Sequence, residues 1–481
     1  MRRGLRIAAA RVRKAGFNMD HVTVVGAGLA GSEAALQLAA RGVRVRLFEM
    51  RPMMETAVHR TSQAAELVCS NSLKSTKPDS AAGMLKHELA ELGSRLYASA
   101  LRHAVPAGGA LAVDRGAFSA EVTARIEQNP LIELVRREVR SIDEAVRGAS
   151  AVVVASGPLT SDELADSLRS VTGSEHLAFF DAAAPVVMAD SLDYGKLFRQ
   201  SRYEESGAGD YWNAPFSKEE YERFAKELVS ADRVIRRDFE SKDLFQACQP
   251  IEEIARKGAD APRFGTLKPV GLTDPRTGRR PWAALQLRAE DRHGSSYNLV
   301  GFQTNLTFPE QRRVFRMIPG LEQAEFARYG VMHRNTFIDS PRLLDAGLRL
   351  RSSSNACPCY VAGQLAGTEG YCEAIRSGLH AAISVAAHLK GISAPLLPVE
   401  TAFGSLLAYA TDPGTVDYQP MHVNFGIMAP LERRVRNKRD RYAAYAARGR
   451  QALEGYVSLL GEAGLLPVGG ASNAEGASDG E

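Results

Sequence analysis

The patterned part of the chain opens with a short apolar run that leads directly into glycines. Residues His21–Val25 have the sequence HVTVV, which is typical of a strand buried on both faces of a parallel sheet. The glycine-rich segment Gly26–Gly31 follows at once, a helical pattern covers 32–41, and a second apolar run covers 43–48 and ends at Glu49. This order predicts a complete strand–helix–strand unit of about thirty residues.

The middle of the chain has a different pattern. A helical pattern covers 81–101, and a buried-strand pattern covers 151–155. Between about Asp190 and Arg328 aromatic and charged residues become more frequent, and alternating segments such as 282–287 and 297–302 predict an antiparallel region. We interpret this region as a second domain that is inserted into the first.

The order of strand, glycine turn and helix returns late in the chain, over 360–362, Gly363–Gly367 and 372–389. The predicted fold class is therefore α/β, a Rossmann-like doubly wound domain built from both ends of the chain around an inserted mixed α/β domain. The predicted segments are a basic extension that we expect to be disordered (1–19), the doubly wound domain, first part (20–189), the inserted domain (190–328), the doubly wound domain, second part, with a basic C-terminal helix (329–462), and a disordered tail (463–481).

The composition narrows the class of protein. The 481 residues are 45% hydrophobic and 24% charged, which is ordinary for a globular protein, and they include only five cysteines. With no secretory apolar segment and no apolar run of ~18 residues, the sequence argues against a disulfide-stapled secreted protein and against a membrane span. We therefore expect a cytoplasmic protein.

The net charge of +4 is unevenly distributed. Residues 1–16 contain six arginines or lysines and no acidic residue. Three interpretations of this arm stay open: a flexible tail that touches phosphates, an Arg-rich targeting segment, or sequence upstream of the true start codon.

The first glycine segment has the spacing of a dinucleotide-binding turn. Gly26 permits the tight turn, Gly28 lets the backbone approach a pyrophosphate, and Gly31 lets the helix pack closely on the strand. Glu49 follows Gly31 by 18 residues, close to the ~20 expected of a carboxylate that accepts ribose hydroxyls. The predicted cofactor contacts here are Gly26, Ala27, Gly28, Leu29, Ala30, Gly31 and Glu49.

This fingerprint alone does not distinguish FAD from NAD. The late segment that contains Gly363, Gln364 and Gly367 resembles the C-terminal motif with which two-domain flavoproteins close over the ribityl chain and phosphates of the flavin. The two segments together favour FAD and add these three residues to the predicted cofactor site.

The cysteines fall into different settings. Cys69 is followed by Ser70-Asn71-Ser72, a polar setting typical of a reactive thiol, and Cys248 precedes a proline and acidic residues. Cys372 lies in the predicted helix 372–389, where we expect it to be a small buried side chain. The pair Cys357-Pro-Cys359 lacks the spacing of a zinc pair and has no second ligand pair nearby, so no metal site is predicted.

Two stretches are rich in arginine. Residues 431–450 contain eight basic side chains with Tyr442 and Tyr445 between them, which suits either a solvated helix face or a surface that grips an RNA backbone. The second stretch covers 276–292. The candidate RNA contacts are Arg276, Arg280, Arg433, Arg436 and Arg439. No Ser-His-Asp pattern is recognisable around the one histidine cluster, His333-Arg334-Asn335, so hydrolase chemistry has no support.

Several phrases of the chain resemble one family from about Asp20 to Tyr456. The sequence resembles the bacterial folate- and flavin-dependent tRNA uracil-5-methyltransferases in the segments Gly26–Gly31, Glu66–Leu73, Val105–Arg115, Gly157–Ser161, Lys268–Arg276, Asn298–Thr304 and Tyr329–Thr336. The resemblance implies formation of 5-methyluridine (ribothymidine) in the T-loop of tRNA. Methylenetetrahydrofolate would supply the one-carbon unit, FAD would carry or reduce it, and NAD(P)H would recharge the flavin.

The resemblance also assigns chemistry to two thiols. Uracil C5 is a poor nucleophile until a thiolate adds at C6, so the family needs an activated cysteine. Cys69 and Cys248 lie in the family's cysteine-bearing phrases, and we expect one to be the nucleophile and the other to handle a proton, with the order open. The same chemistry on ribosomal RNA, a non-catalytic RNA-binding flavoprotein and a small-molecule NAD(P)H-flavin oxidoreductase stay as alternatives, and the oligomeric state is open.

Overall fold

The computed structural model describes residues 21–56, 58–173, 177–202, 209–235, 249–416 and 418–467. The predicted basic extension, most of the predicted tail and Cys248 lie outside these residues. Within them, no helix combines the length and the apolarity that a bilayer span needs.

The described helices and strands are numbered in chain order. The strands are β1 His21–Val25, β2 Val45–Glu49, β3 Ser72–Ser75, β4 Ala104–Val105, β5 Ala110–Val113, β6 Ile132–Arg136, β7 Ala149–Val154, β8 Leu177–Ala182, β9 Val186–Met188, β10 Phe198–Arg199, β11 Trp212–Phe216, β12 Ala283–Ala289, β13 Ser296–Leu299, β14 Phe326–Arg328, β15 Met332–Phe337 and β16 Cys359–Val361. The helices are α1 Leu29–Ala39, α2 Ala81–Glu91, α3 Arg95–Arg102, α4 Arg115–Glu127, α5 Ile142–Ala145, α6 Asp162–Thr172, α7 Lys218–Ser230, α8 Ile251–Arg256, α9 Ala261–Phe264, α10 Phe308–Phe315, α11 Ser340–Leu343, α12 Tyr371–Leu389, α13 Ala402–Thr411 and α14 Lys438–Glu462.

A parallel sheet in the order β16-β7-β1-β2-β6 organises the part of the molecule that carries the glycine turns. Its central strands are buried along almost their whole length, as their apolar sequences predict. Helix α1 lies against α12, where a Cβ on Gly378 would come within 2.1 Å of the Ala30 carbonyl oxygen. Both ends of the chain therefore build this unit, and the predicted α/β fold class is confirmed.

A six-stranded sheet in the order β10-β11-β12-β13-β9-β14 has antiparallel pairing throughout. Its core is a separate aromatic cluster that includes Phe216, Phe224, Phe302 and Phe315. The predicted antiparallel region is thus present, although the sheet already begins with β9 at Val186. That residues 190–328 form a domain of their own stays a prediction.

Two predicted helix boundaries are wrong, and local backbone chemistry explains both. The helix predicted over 81–101 is two helices, because Gly93 adopts a left-handed φ of 66° and Ser94 caps the second by accepting the Tyr97 N–H. The basic helix predicted from 431 begins only at Lys438, where the Asn437 side chain accepts the N–H groups of Arg439 and Asp440.

Candidate active site

The glycine turn after β1 is fixed by close contacts between backbones. Gly26 has a φ of 97°, and a Cβ there would lie 2.5 Å from the Ala155 carbonyl oxygen. A Cβ on Gly31 would lie 1.8 Å from the Gly26 carbonyl oxygen. A Cβ on Gly28, by contrast, would meet no protein atom within 4 Å. The first and third glycines are therefore required by the fold, and the second leaves open space in the cleft.

The N-terminus of α1 faces this space. The helix begins at Leu29, and its first backbone hydrogen bond runs from the Ser32 N–H to the Gly28 carbonyl oxygen (2.9 Å). The amides of Leu29, Ala30 and Gly31 precede this bond and carry the positive end of the helix dipole. Such a helix end suits the pyrophosphate of a dinucleotide.

Glu49 ends β2 at the same edge of the sheet. Its carboxylate accepts the Ala27 N–H (3.0 Å) through Oε2, and the Arg51 N–H (3.1 Å) and Arg51 Nε (2.9 Å) through Oε1. Burial works to raise the pKa of Glu49, but the bonds from Arg51 and Ala27 outweigh it and the pKa is lowered. Glu49 is therefore an ionised acceptor held beside the glycine turn, as predicted for a carboxylate that accepts ribose hydroxyls.

A cleft of about 1050 Å³, counted with its open mouth, runs along the carboxyl ends of the parallel strands. Open α/β sheets bind ligands at this edge. Its walls include Gly28, Glu49, Gly157, Gly363 and Gln364. The two predicted glycine segments, far apart in the chain, thus line one cleft.

Two features on the far wall suit a bound flavin dinucleotide. The Gln364 Nε2 is buried without a hydrogen-bond partner among the described residues, so it has a donor to offer to a ligand. Gly363 and Gly367 have left-handed φ angles of 77° and 76°, and a Cβ on Gly367 would lie 1.9 Å from the Tyr418 hydroxyl oxygen. Gly363 and Gln364 therefore line the cleft and fit FAD, whereas Gly367 is required by its contact with Tyr418 and is not part of the lining.

The loop that carries Cys69 adjoins the same cleft. The Tyr371 hydroxyl oxygen accepts the N–H groups of Cys69 (2.9 Å) and Ser70 (3.1 Å). Tyr371 is the first residue of α12 and lines the cleft together with Val68. Burial raises the pKa of Tyr371, so its hydroxyl keeps its proton. Cys69 is half-buried and is not in a disulfide.

Two arginines fix the carbonyl side of this loop. Arg115 donates to the Leu67 carbonyl oxygen (2.7 Å), and Arg328 donates to the carbonyl oxygens of Val68 (3.3 Å) and Cys69 (3.1 Å). Burial lowers the pKa of Arg328 to about 10, so it stays charged at neutral pH. Residues of α4, α12 and β14 thus converge on one cysteine.

The side chain of Asn71 ties the loop to the antiparallel sheet. Its Nδ2 donates to the carbonyl oxygens of Val113 (3.1 Å) and Ala289 (2.9 Å), and its Oδ1 accepts from Arg288 Nε (2.7 Å). The loop is therefore held from three directions. None of Arg115, Asn71, Arg328 or Tyr371 was predicted as a site residue, and their only signal in the sequence is a place inside or beside the recognisable phrases.

The other predicted residues lie elsewhere. Arg276 is held by Asp274 through two bonds (3.0 and 2.8 Å), whereas Arg280 is exposed. Arg433, Arg436 and Arg439 are exposed at the start of the basic segment. Cys248 lies outside the described residues.

The remaining described cysteines lie in apolar settings. Cys372 is buried, as predicted, and burial raises its pKa to about 11. Cys359 is buried in β16, with a pKa raised to about 12 by burial, while Cys357 is partly exposed. Neither thiol of the Cys357/Cys359 pair has the setting of a reactive group.

Sheet order, glycine turn and carboxylate together define a Rossmann-like dinucleotide-binding protein. The family model described as glucose inhibited division protein A matches residues 21–393. The GidA protein of Aquifex aeolicus, in its form II crystal, has the same fold with a TM-score of 0.68 at 16% identity, over 93% of this chain and 74% of that chain.

Relatives named methylenetetrahydrofolate–tRNA-(uracil-5-)-methyltransferase TrmFO are much more similar in sequence. The protein of Symbiobacterium thermophilum is 52% identical over 91% of this chain and 97% of its own length, and that of Geobacter sulfurreducens is 52% identical over 91% and 99%. The protein of Bacillus pumilus is 48% identical over 90% and 98%. The chain therefore belongs to the GidA family and, within it, to the TrmFO group, which confirms the resemblance seen in the sequence.

Proposed function

We propose that this protein is a folate- and FAD-dependent methyltransferase that forms 5-methyluridine in the T-loop of tRNA. The observation that carries the proposal is the position of Cys69, on a fixed loop beside the dinucleotide cleft. The names of the similar proteins support the same reaction, the same RNA class and the same one-carbon donor. A tRNA substrate also implies a cytoplasmic enzyme.

The chemistry explains why a thiol belongs beside this cleft. Addition of a thiolate to C6 of uracil moves electrons to C5 and makes that carbon nucleophilic towards a one-carbon unit. The C5 proton then leaves, and expulsion of the thiolate restores the double bond. The positive charge of the partly buried Arg328 lies next to the Cys69 loop, where it would stabilise anionic species formed during these steps.

The cofactor contacts that we propose follow from the walls of the cleft. Bound FAD supplies the redox chemistry that converts the one-carbon unit of methylenetetrahydrofolate to a methyl group, at the expense of NAD(P)H. The amides of Leu29 to Gly31 would hold the pyrophosphate, and Glu49 would accept the ribose hydroxyls. Gln364 would donate to the cofactor, and Tyr371 holds the Cys69 loop at its end of the cleft.

Cys248 completes the proposed pair of thiols on the strength of the family phrase around it. The described residues on either side of its segment are well fixed: Ile235 exchanges two bonds with the Asn305 side chain, and the Ile251 N–H donates to the Gln303 carbonyl oxygen (2.8 Å). Which thiol is the nucleophile stays open. RNA contacts are proposed at Arg433, Arg436 and Arg439, which are exposed, and at Arg280, whereas Arg276 is already bonded to Asp274.

The test is transfer of label from methylenetetrahydrofolate, in the presence of NAD(P)H, to an unmodified tRNA transcript. A matched transcript has its T-loop uridine replaced by cytidine. Label in the first RNA alone is the expected result. Label in ribosomal RNA but in neither tRNA would make ribosomal RNA the substrate instead. Absence of label from all three RNAs, with FAD-loaded protein, would refute the proposed methyltransferase function.

Single replacement of each thiol by alanine separates their roles. Both Cys69→Ala and Cys248→Ala should abolish label transfer while FAD and tRNA binding persist. The nucleophilic thiol forms a covalent adduct with the RNA. If only one of the two variants fails to form this adduct, the thiol replaced in that variant is the nucleophile. Turnover retained by both variants would refute the assignment.

A further inference from the structure

Three aromatic rings form a continuous stack at the edge of the antiparallel sheet. The ring centroids of Phe326 and Tyr329 are 5.0 Å apart at an interplanar angle of 13°. Those of Tyr329 and Phe308 are 4.7 Å apart at 15°. Nearly parallel, offset rings at these distances are a favourable arrangement for aromatic side chains. The stack therefore has a defined direction, from Phe326 through Tyr329 to Phe308.

The inner end of the stack is partly buried and the outer end is open. Phe326 packs against the core of the antiparallel sheet. Phe308, at the start of α10, has 47% of its surface exposed. Because its inner face covers Tyr329, this exposure leaves a flat aromatic surface available to another ring.

The stack is directly connected to the Cys69 loop. Arg328, which donates to the Val68 and Cys69 carbonyl oxygens, lies between Phe326 and Tyr329 in the chain. The Gln311 side chain of α10 bonds to Gly330 in both directions and donates to the Leu306 carbonyl oxygen. The stacked rings are thus held rigidly relative to the loop that carries the thiol.

The edge of the stack is positively charged. Arg312 donates to the Tyr329 hydroxyl oxygen through Nε (3.1 Å) and Nη2 (2.7 Å) and is exposed. Among the described residues, the ion pairs of α10 join Arg313 to Glu310 and Glu227 and do not involve Arg312. A cation beside an open ring suits a ligand that combines a flat base with a phosphate.

We propose that Phe308 is a stacking platform for one unpaired base of the RNA substrate, and that Arg312 contacts a phosphate next to that base. This inference rests on the proposed function and names residues that position its substrate. An enzyme that modifies uracil C5 must draw the target base out of its stack, which exposes the face of the neighbouring base. Phe308 would replace the lost neighbour, on an element that is tied to the Cys69 loop through Tyr329 and Arg328.

The test compares variants of Phe308 in binding an unmodified tRNA transcript. Phe308→Ala should weaken binding about thirtyfold, the middle of the range for loss of one aromatic–base stack. Phe308→Tyr should bind as the natural protein does, and Phe308→Leu should resemble the alanine variant because it keeps apolar bulk without a flat ring. Phe264→Ala is the matched control, since Phe264 is an exposed phenylalanine (74%) beside Arg263.

A fluorescent base locates the contact. 2-Aminopurine placed on either side of the target uridine should be quenched on binding to the natural protein and to Phe308→Tyr, and less quenched with Phe308→Ala. Thermal melting of the variants should change only slightly, because Phe308 lies outside the core and its loss removes a single ring contact, with Tyr329. Binding by Phe308→Ala within twofold of the natural protein, rescue by leucine, or an equal loss in Phe264→Ala would each overturn the proposal.

The two proposals fail in different ways. Label transfer to tRNA by the natural protein, together with unchanged RNA binding by Phe308→Ala, would leave the function standing and remove the platform. Binding that depends on Phe308 without any label transfer would remove the function and keep the platform. Absence of tRNA binding by the natural protein would overturn both the proposed function and the platform.

Discussion

At the scale of single residues, the glycines of the turn after β1 differ in what lies where a side chain would be. Gly26 and Gly31 are required by contacts within the protein, because a Cβ on either would overlap a carbonyl oxygen. Gly28 faces open space, which leaves room for the pyrophosphate proposed there. Glu49 similarly combines an internal task, the Ala27 and Arg51 bonds, with the proposed ligand task.

Replacing Gly28 and Gly31 separately by alanine should therefore give opposite results. Gly31→Ala should lower the melting temperature of the apoprotein sharply, because its Cβ would lie 1.8 Å from the Gly26 oxygen. Gly28→Ala should leave the melting temperature unchanged and weaken FAD binding. Thermal denaturation and FAD titration of both apoproteins check this, and normal FAD affinity in Gly28→Ala would contradict the proposed pyrophosphate position.

Glu49→Gln should weaken FAD binding by about ten- to a hundredfold, the usual worth of one hydrogen bond to a charged group. Quenching of flavin fluorescence during titration of the apoprotein measures the effect. Glu133→Gln is the control, since Glu133 lies on the neighbouring strand β6 and forms an exposed ion pair with Arg46. Equal losses in the two variants would mean that the Glu49 carboxylate does not contact the cofactor.

At the scale of elements, helix α12 and the basic segment 433–439, at the start of α14, have separate tasks. The first residue of α12 fixes the Cys69 loop, while the following turns pack on α1. The basic segment presents Arg433, Arg436 and Arg439 to solvent. The first element therefore affects the geometry of the thiol, and the second affects only the affinity for a polyanion.

Tyr371→Phe should loosen the Cys69 loop, because two backbone N–H groups lose their acceptor. We expect faster hydrogen exchange at Cys69 and Ser70 and at least tenfold slower methyl transfer, with FAD still bound. Tyr221→Phe is the matched control: it also removes a buried tyrosine hydroxyl, here one that donates to the Ala259 carbonyl oxygen (2.7 Å). Unchanged exchange at Cys69 in Tyr371→Phe would contradict the positioning role.

Alanine at Arg433, Arg436 and Arg439 together should reduce the salt dependence of tRNA binding. The slope of log K against log salt concentration falls by about one for each phosphate that the protein no longer neutralises. Arg276→Ala should change the slope less, because Asp274 already neutralises that guanidinium. Filter binding at several salt concentrations measures both variants, and an unchanged slope in the triple variant would place the RNA on another surface.

At the scale of the whole molecule, burial of carboxyl groups makes stability depend on pH. Glu252 in α8 is fully buried and accepts the Asn305 N–H and the Thr304 hydroxyl proton. Burial, the largest effect, raises its pKa from 4.5 to about 7. Between these values the folded state holds a proton that the unfolded state has released, so the free energy of unfolding falls as pH rises.

Glu252→Gln should remove this dependence. The natural protein should lose about 3 kcal/mol at most between pH 4.5 and 7 through this group, and the glutamine variant should lose correspondingly less. Denaturant unfolding at several pH values checks the difference. Glu219→Gln, at an exposed position of α7, should behave as the natural protein does.

The sequence by itself determined the fold class, the glycine turns and the position of Glu49 beside the first glycine turn. These follow from local rules: strand and helix periodicity, left-handed glycine conformations and fixed spacing within one strand–helix–strand unit. It failed at the 81–101 and 431–450 helices, where one glycine and one capping asparagine set the ends. The family phrases, which are also local, predicted Cys69 as a site residue.

Only the tertiary structure decided what surrounds Cys69. Tyr371 and Arg328 lie 302 and 259 residues away from it in the chain, so neither contact leaves a pattern in a local window. The stack of Phe308, Tyr329 and Phe326 likewise depends on α10 and β14 meeting at a sheet edge. Such contacts come from the packing of distant elements, and packing is what periodicity and spacing in the sequence do not encode.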